Sequence, residues 1–313
     1  MGPGIPESGM KTRQGNNSKI RNPKSENQNQ DFGTLYVVST PIGNLEDITL
    51  RALRILKSAD LIAAENVRHS MRLCQHYGIK KRLISYNQHN QKVKGSEIIR
   101  RLKSGYDVAL VTNAGTPGVS DPGVLLINQA LENHIKVSPI PGPSAITAAF
   151  SVSGMRSDSF LFLGFLSNRS GKRRKNLKEL LSEHHTMVFF EAPHRLQAML
   201  RDLMEILGDR KVVILRELTK TYEEVILGSV SSVLGRLKEV EIQGEFTVVV
   251  AGKENEKELF LLDEKAQKRI ERLLKEDRMS MKDIATQLSV EEGLAYRNIY
   301  KECLSIKRAM QPL

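Results

Sequence analysis

Apolar and polar positions alternate along this chain in blocks that set out its elements. Leu35 to Thr40 reads as a buried strand, and Leu50, Leu53 and Leu56 recur at helical spacing. Leu61 to Ala64 is the next apolar run, Ile98 and Leu102 belong to a helix, and Val108 to Val111 follows as a strand. Strand and helix taking turns in this way build a mostly parallel sheet with helices on both faces. A second set begins near Ser157, with apolar runs at Phe160 to Leu163, Met187 to Phe190, Val212 to Leu215, Val225 to Leu227 and Phe246 to Ala251. Their close spacing predicts a mixed sheet. Beyond Glu258 three apolar stripes recur at helical spacing: Ile270 with Leu273 and Leu274, Ile284 with Leu288, and Tyr296, Ile299, Tyr300 with Leu304. Ser280 is a candidate N-cap of the second. The expected organisation is a disordered tail at 1–33, α/β domains at 34–156 and 157–257, and a helical extension at 258–313.

The turns after these strands carry the chemistry. Ser39-Thr40-Pro41-Ile42-Gly43-Asn44-Leu45 follows the first strand, Asn113 to Gly123 follows Val108 to Thr112, and Pro139-Ile140-Pro141-Gly142-Pro143-Ser144-Ala145 repeats the pattern. Glycine and proline let bare backbone approach a ligand, and in open α/β sheets ligands sit at the carboxyl ends of the strands. No turn matches the glycine fingerprint of dinucleotide sites or the phosphate loop of nucleotide hydrolases, so nicotinamide cofactors and ATP are not expected.

Composition narrows the setting. With 313 residues, 40% of them apolar, the chain can bury two ordinary cores. Its formal net charge of +11 is concentrated in residues 34–257, which carry 31 Lys/Arg against 23 Asp/Glu, and this favours a polyanionic partner. The two cysteines, Cys74 and Cys303, lack metal-ligand spacing, so neither a zinc site nor a disulfide framework is expected and a reducing cytoplasm fits. No apolar run is long enough to span a bilayer, and no signal peptide is visible. The opening residues are rich in Gly, Pro, Ser, Asn, Gln and Lys, too polar to offset the entropy of ordering.

Five stretches carry a family resemblance: Leu35 to Leu53, Ala114 to Gly123, Pro141 to Ala145, Glu191-Ala-Pro-His-Arg195 and Arg216-Glu-Leu-Thr-Lys220. In this order they resemble the bacterial small-subunit rRNA methyltransferases of the tetrapyrrole methylase superfamily. The resemblance runs from about Thr34 to Gly252 and weakly beyond. It implies S-adenosylmethionine as methyl donor, bound in the cleft between two α/β domains, and a helix-turn-helix-like C-terminal extension. It further implies a homodimer and 2′-O-methylation of a cytidine in the decoding region of 16S rRNA in the small ribosomal subunit. The expected donor-binding residues are Pro41, Gly43, Gly115, Thr116, Pro117, Gly118, Val119, Ser120, Ser144, Ala145, Ala192 and Pro193. No metal is expected.

Transfer from a sulfonium needs alignment of oxygen, methyl carbon and sulfur, and removal of the hydroxyl proton. Glu65, Arg68, His69, His89 and His194 are the catalytic candidates, with Arg68 and Arg195 suited to orient phosphate or ribose, and no single base stands out. Six cations crowd Arg169 to Lys178, read as a basic loop; Arg169, Lys172, Arg173, Arg174 and Lys175 are its RNA-binding candidates. The chain also departs from the family pattern. Asn66, Asn87, Gln88 and Asn113 stand where the family has ionisable residues, so either those groups were structural or this homologue is weakened. A small-molecule tetrapyrrole methylase and a non-catalytic RNA-binding homologue are the rival readings.

Overall fold

The computed structural model describes residues 31–237, 242–253, 264–276, 278–294 and 296–310. Two five-stranded sheets organise it. The first contains β1 (Leu35–Val38), β2 (Leu61–Ala64), β3 (Leu83–Ser85), β4 (Val108–Val111) and β5 (Val137–Ile140), all parallel, in the order β3-β2-β4-β1-β5. Helices α1 (Leu50–Ser58) and α2 (Val67–His76) cover one face, while α3 (Gln91–Lys103) and α4 (Val124–Glu132) cover the other. Burial on both faces is why the central strands β2 and β4 are apolar at every position, LIAA and VALV, rather than alternating.

Two boundaries differ from the sequence reading. Phe32 and Gly33, assigned there to the tail, pack with the first α/β unit: Phe32 lies against its core, and the Gly33 N–H donates to the Leu102 carbonyl at 2.8 Å. The rest of the expected tail lies outside the described residues. Helix α5 (Ala145–Ser153) falls in the segment assigned to the first domain, yet Ala149 is buried against Val188, Val213, Leu215 and Val249 of the second sheet. Its apolar run shows that it must be buried; which sheet receives it is a tertiary matter.

The second sheet is mixed, as the spacing predicts. Strands β6 (Phe160–Phe165), β7 (Thr186–Glu191), β8 (Lys211–Arg216), β9 (Glu224–Ser229) and β10 (Phe246–Val250) take the order β6-β7-β10-β8-β9. Only β6 and β7 run parallel. Helices α6 (Ser170–Lys178), α7 (Pro193–Leu207) and α8 (Val230–Arg236) bury Leu177, Leu196, Met199, Leu200, Val230 and Val233 against Met187, Phe189, Ile214 and Val248. At the C-terminus α9 (Glu264–Glu276), α10 (Met281–Glu292) and α11 (Tyr296–Met310) enclose a small core of Ala266, Ile270, Ile284, Leu288, Ile299 and Cys303. Ser280 caps α10 in a reciprocal box with Asp283. Among the described residues no helix is long and apolar enough to cross a membrane.

Candidate active site between the two sheets

In a parallel sheet the carboxyl ends of all strands lie on one side, so the loops after β1, β2, β4 and β5 meet there. The first and second turns are tied by Thr40 and Gly115, which exchange backbone hydrogen bonds at 2.9 and 3.0 Å. The Ser39 and Thr116 hydroxyls meet at 2.8 Å. Gly115 has a φ of 70°, a left-handed conformation that a side chain would strain. From the other sheet, β6 approaches through a bulge at Gly164, φ 59°, where a Cβ would come within 2.8 Å of the Ser120 hydroxyl. A glycine there lets the two lobes touch.

These loops enclose a cavity of about 390 Å³. Gly115, Thr116, Val119, Ser120, Ser144, Ala145, Ala192 and Pro193 line it, bringing together eight of the twelve residues expected to hold the donor. Pro41, Gly43, Pro117 and Gly118 are not among the lining residues. Pro41 is buried behind the turn, and beside Gly43 the Asn44 N–H donates to Thr219 Oγ1 across the lobes at 3.1 Å. Phe165, Phe190, Phe246, Leu218 and Ile146 supply apolar walls that residue-type reasoning about turns passes over.

Three carboxylates line this space: Glu245, which is exposed and paired with Lys220 at 3.0 Å, Glu191 and Asp121. Glu191, at the end of β7, is buried and ion-paired with Arg195 at 3.0 Å, while its Oε1 accepts the Ala192 N–H at 2.9 Å. Burial raises its pKa against the opposing pull of that N–H and the guanidinium. Asp121 is different. Desolvation, helped by the nearby charge of Glu65, pushes it up to about 6. Asp121 lies within the second turn, and neither its burial nor its neighbour is visible in a linear pattern.

None of the catalytic candidates is among the cavity's lining residues. Glu65 is closest in role: its Oε2 accepts the Asn113 N–H at 3.1 Å, and Asn113 lines the cavity. Arg68 and His69 are exposed in the first turn of α2, His89 is exposed on the turn before α3, and His194 is exposed at the start of α7 beside Pro193. Arg195, expected to orient phosphate or ribose, is instead committed to Glu191 and the Leu166 carbonyl.

The amide substitutions sort into two kinds. Asn66 is the N-cap of α2, its Oδ1 accepting the His69 N–H at 3.2 Å, and an amide performs that task as well as a carboxylate does. Asn87 organises the turn before α3 by accepting the His89 and Asn90 N–H groups, while Gln88 is exposed. Asn113 is of the other kind, since its Oδ1 is buried at the cavity with no partner.

The expected basic loop after β6 is helix α6, and its cations are unequal. Arg173 is buried and bonded to Asp202 at 2.6 to 2.7 Å, and Arg174 binds Asp202 at 2.8 Å and Glu205 at 2.5 Å. Arg173 therefore leaves the set of residues able to reach RNA, and Arg174 is largely spent. Lys172 and Lys175 are exposed.

Comparison with known proteins follows the same outline. A family model, Tetrapyrrole (Corrin/Porphyrin) Methylases, matches residues 34–234, which hold nine of the ten strands and most of the cavity's lining. The chain belongs to the tetrapyrrole methylase family. It is similar to Ribosomal RNA small subunit methyltransferase I of Bacillus subtilis, 46% identical over 237 residues, 76% of this chain and 81% of that protein. The protein of that name from Thermotoga maritima is 48% identical over 223 residues, 71% and 100% of the two chains, and that from Synechocystis is 40% identical over 277, 88% and 99%. Among solved structures, uroporphyrin-III-C-methyltransferase from Thermus thermophilus aligns with a TM-score of 0.51 at 22% identity, covering 69% of this chain and 94% of that one, a likeness of fold.

Tetrapyrrole methylases take their methyl group from S-adenosylmethionine, and the cavity's residues fit that donor. Its volume and phenyl-lined walls suit an adenosine-sized ligand. Its carboxylates suit a cationic sulfonium and ammonium, and the orphaned Asn113 Oδ1 offers an acceptor to an amine.

Proposed function

We propose that this protein methylates the 2′-oxygen of a cytidine ribose in the decoding region of small-subunit rRNA, with S-adenosylmethionine held in the cavity between the sheets. The observation that carries the reading is the identity of 40 to 48%, over 223 to 277 residues, with proteins named Ribosomal RNA small subunit methyltransferase I. The donor supplies a methyl group already activated on sulfur. The backbone turns around Gly115 to Ser120 and Ser144-Ala145 orient it, Phe165, Phe190 and Phe246 exclude water, and the ribose oxygen attacks in line. As the O–C bond forms and the C–S bond breaks, the hydroxyl proton passes to Asp121, whose half-buried carboxyl is poised near neutrality. The protein works as a homodimer in the cytoplasm.

A second reading, an RNA-binding homologue without transfer, is motivated by Asn113, an amide at the cavity wall where the family has an acid. Labelled donor and purified small subunits lacking the modification, followed by mapping of 2′-O-methyl groups, separate the two. Incorporation at one cytidine supports the enzyme. Intact donor and RNA binding without incorporation by the wild-type protein would sink it.

A further inference from the structure

The charge of this chain is gathered more tightly than its overall composition reveals. Between Leu50 and Lys103 there are thirteen Lys/Arg against three Asp/Glu, so this stretch accounts for +10 of the formal +11. Helices α1 and α2 within it contain no acid at all. Both bury apolar residues in one core, Ala52, Ile55 and Leu56 from α1 with Leu73 and Cys74 from α2, so both turn their outer sides to solvent on the same side of the first sheet. Arg54, Lys57, Arg68 and Arg72 are exposed there, and none is ion-paired to a carboxylate among the described residues. Arg68 and Arg72 stand one turn apart on α2, where like charges repel and cost the helix a few tenths of a kcal/mol.

The start of this face is linked to the cavity wall. Helix α2 starts at Val67, two residues after Glu65, whose carboxylate accepts the N–H of the cavity-lining Asn113. Arg68, in the first turn of α2, is the cation of this face nearest that link along the chain, and Arg72 follows one turn on. Helix α6 is the opposite case, its two central arginines neutralised by Asp202 and Glu205.

Resting on the rRNA reading above, we infer that the solvent face of α1 and α2, not α6, carries the phosphate backbone of the RNA substrate and delivers a ribose to the cavity. Phosphate contacts of this kind position a strand and leave the choice of nucleotide to the cavity.

The test compares Arg54→Glu with Arg72→Glu against Lys172→Glu with Lys175→Glu, two variants with the same change in net charge. Binding of a 16S rRNA transcript is followed by fluorescence anisotropy over a range of salt, with thermal melts and S-adenosylmethionine calorimetry confirming fold and cavity. The α1–α2 variant should lose at least tenfold more affinity than the α6 variant. Its plot of log affinity against log salt should be shallower by about two contacts' worth. Equal losses would reduce the effect to bulk charge, and a larger loss in the α6 variant would reverse the assignment; either overturns the inference. A wild-type protein showing no salt-dependent binding fails the rRNA reading itself, an outcome visible before any variant is made. If the reversals melt early, Arg54→Gln with Arg72→Gln keeps the comparison at half the charge change.

Discussion

The cavity side and the α1–α2 face of the first lobe treat charge in the opposite way to the ion-paired positions of the second. In the second, charged groups that leave water find partners: Arg173 and Arg174 close on Asp202, Arg195 on Glu191, and Lys220 on Glu217 and Glu245. In the first, Asp121 is half-buried with a like charge for a neighbour, and the cations of α1 and α2 face solvent with no acid on either helix. A paired charge has its interaction energy committed to the fold, and breaking it leaves an uncompensated buried ion. An unpaired charge contributes little to stability and is free to act on a ligand. The contrast therefore marks Arg173, Arg174 and Lys220 of the second lobe as structural, and leaves Asp121 and the cations of α1 and α2 free to act on a ligand.

The sharpest way to break that division is Asp121→Asn. If Asp121 accepts the ribose proton, single-turnover methylation should fall by about 10²- to 10⁴-fold while the variant stays folded. The pH dependence adds a sign. Wild-type rate should rise as pH passes through about 6, the point at which Asp121 loses its proton. Because its folded pKa is raised above the usual carboxylate value of about 4, its effect on stability runs the other way. The stabilising contribution is complete below pH about 4 and is lost as pH climbs through about 6. Both pH effects should vanish in the variant, and a retained acid limb in the rate profile would point to another base.

Asp202→Ala probes the paired side. It strands the buried Arg173 and should cost about 3–5 kcal/mol in urea unfolding, with donor affinity unchanged in the protein that remains folded. Glu191→Gln should cost less, about 1–3 kcal/mol, because Arg195 keeps the Leu166 carbonyl and an amide oxygen can still accept. The smallest effect belongs to Arg54→Ala, within about 0.5 kcal/mol of wild type, since the side chain is exposed without a carboxylate partner. A loss near that of Asp202→Ala would erase the distinction between the lobes.

Much of this was legible along the chain. The apolar runs LIAA and VALV could only be strands buried on both faces, and the Pro/Gly turns between them pointed to the ligand end of a parallel sheet. The turns' residues mostly reach the cavity because they stand at strand ends, where sequence position and location in the fold coincide. Other judgements failed for want of partners. The six cations from Arg169 to Lys178 looked like the strongest basic feature, yet Asp202 and Glu205, some thirty residues away, neutralise its centre once α6 and α7 pack. The cations of α1 and α2 are sparser in sequence, and the acid-free face emerges only when both helices lie on one core.

By itself, then, the amino-acid sequence determined the alternation of elements, the glycine and proline turns, the polyanion-seeking charge and the family to which the chain belongs. All of these follow from local residue preferences, from totals or from ordered motifs. Only the tertiary structure decided that α5 packs on the second sheet, that Gly164 brings β6 against Ser120, that Asp121 sits half-buried near Glu65, and which cations stay unpaired. The physical reason is the same each time: desolvation and Coulomb energy depend on distances between groups remote in sequence, and those distances exist only after the chain has folded.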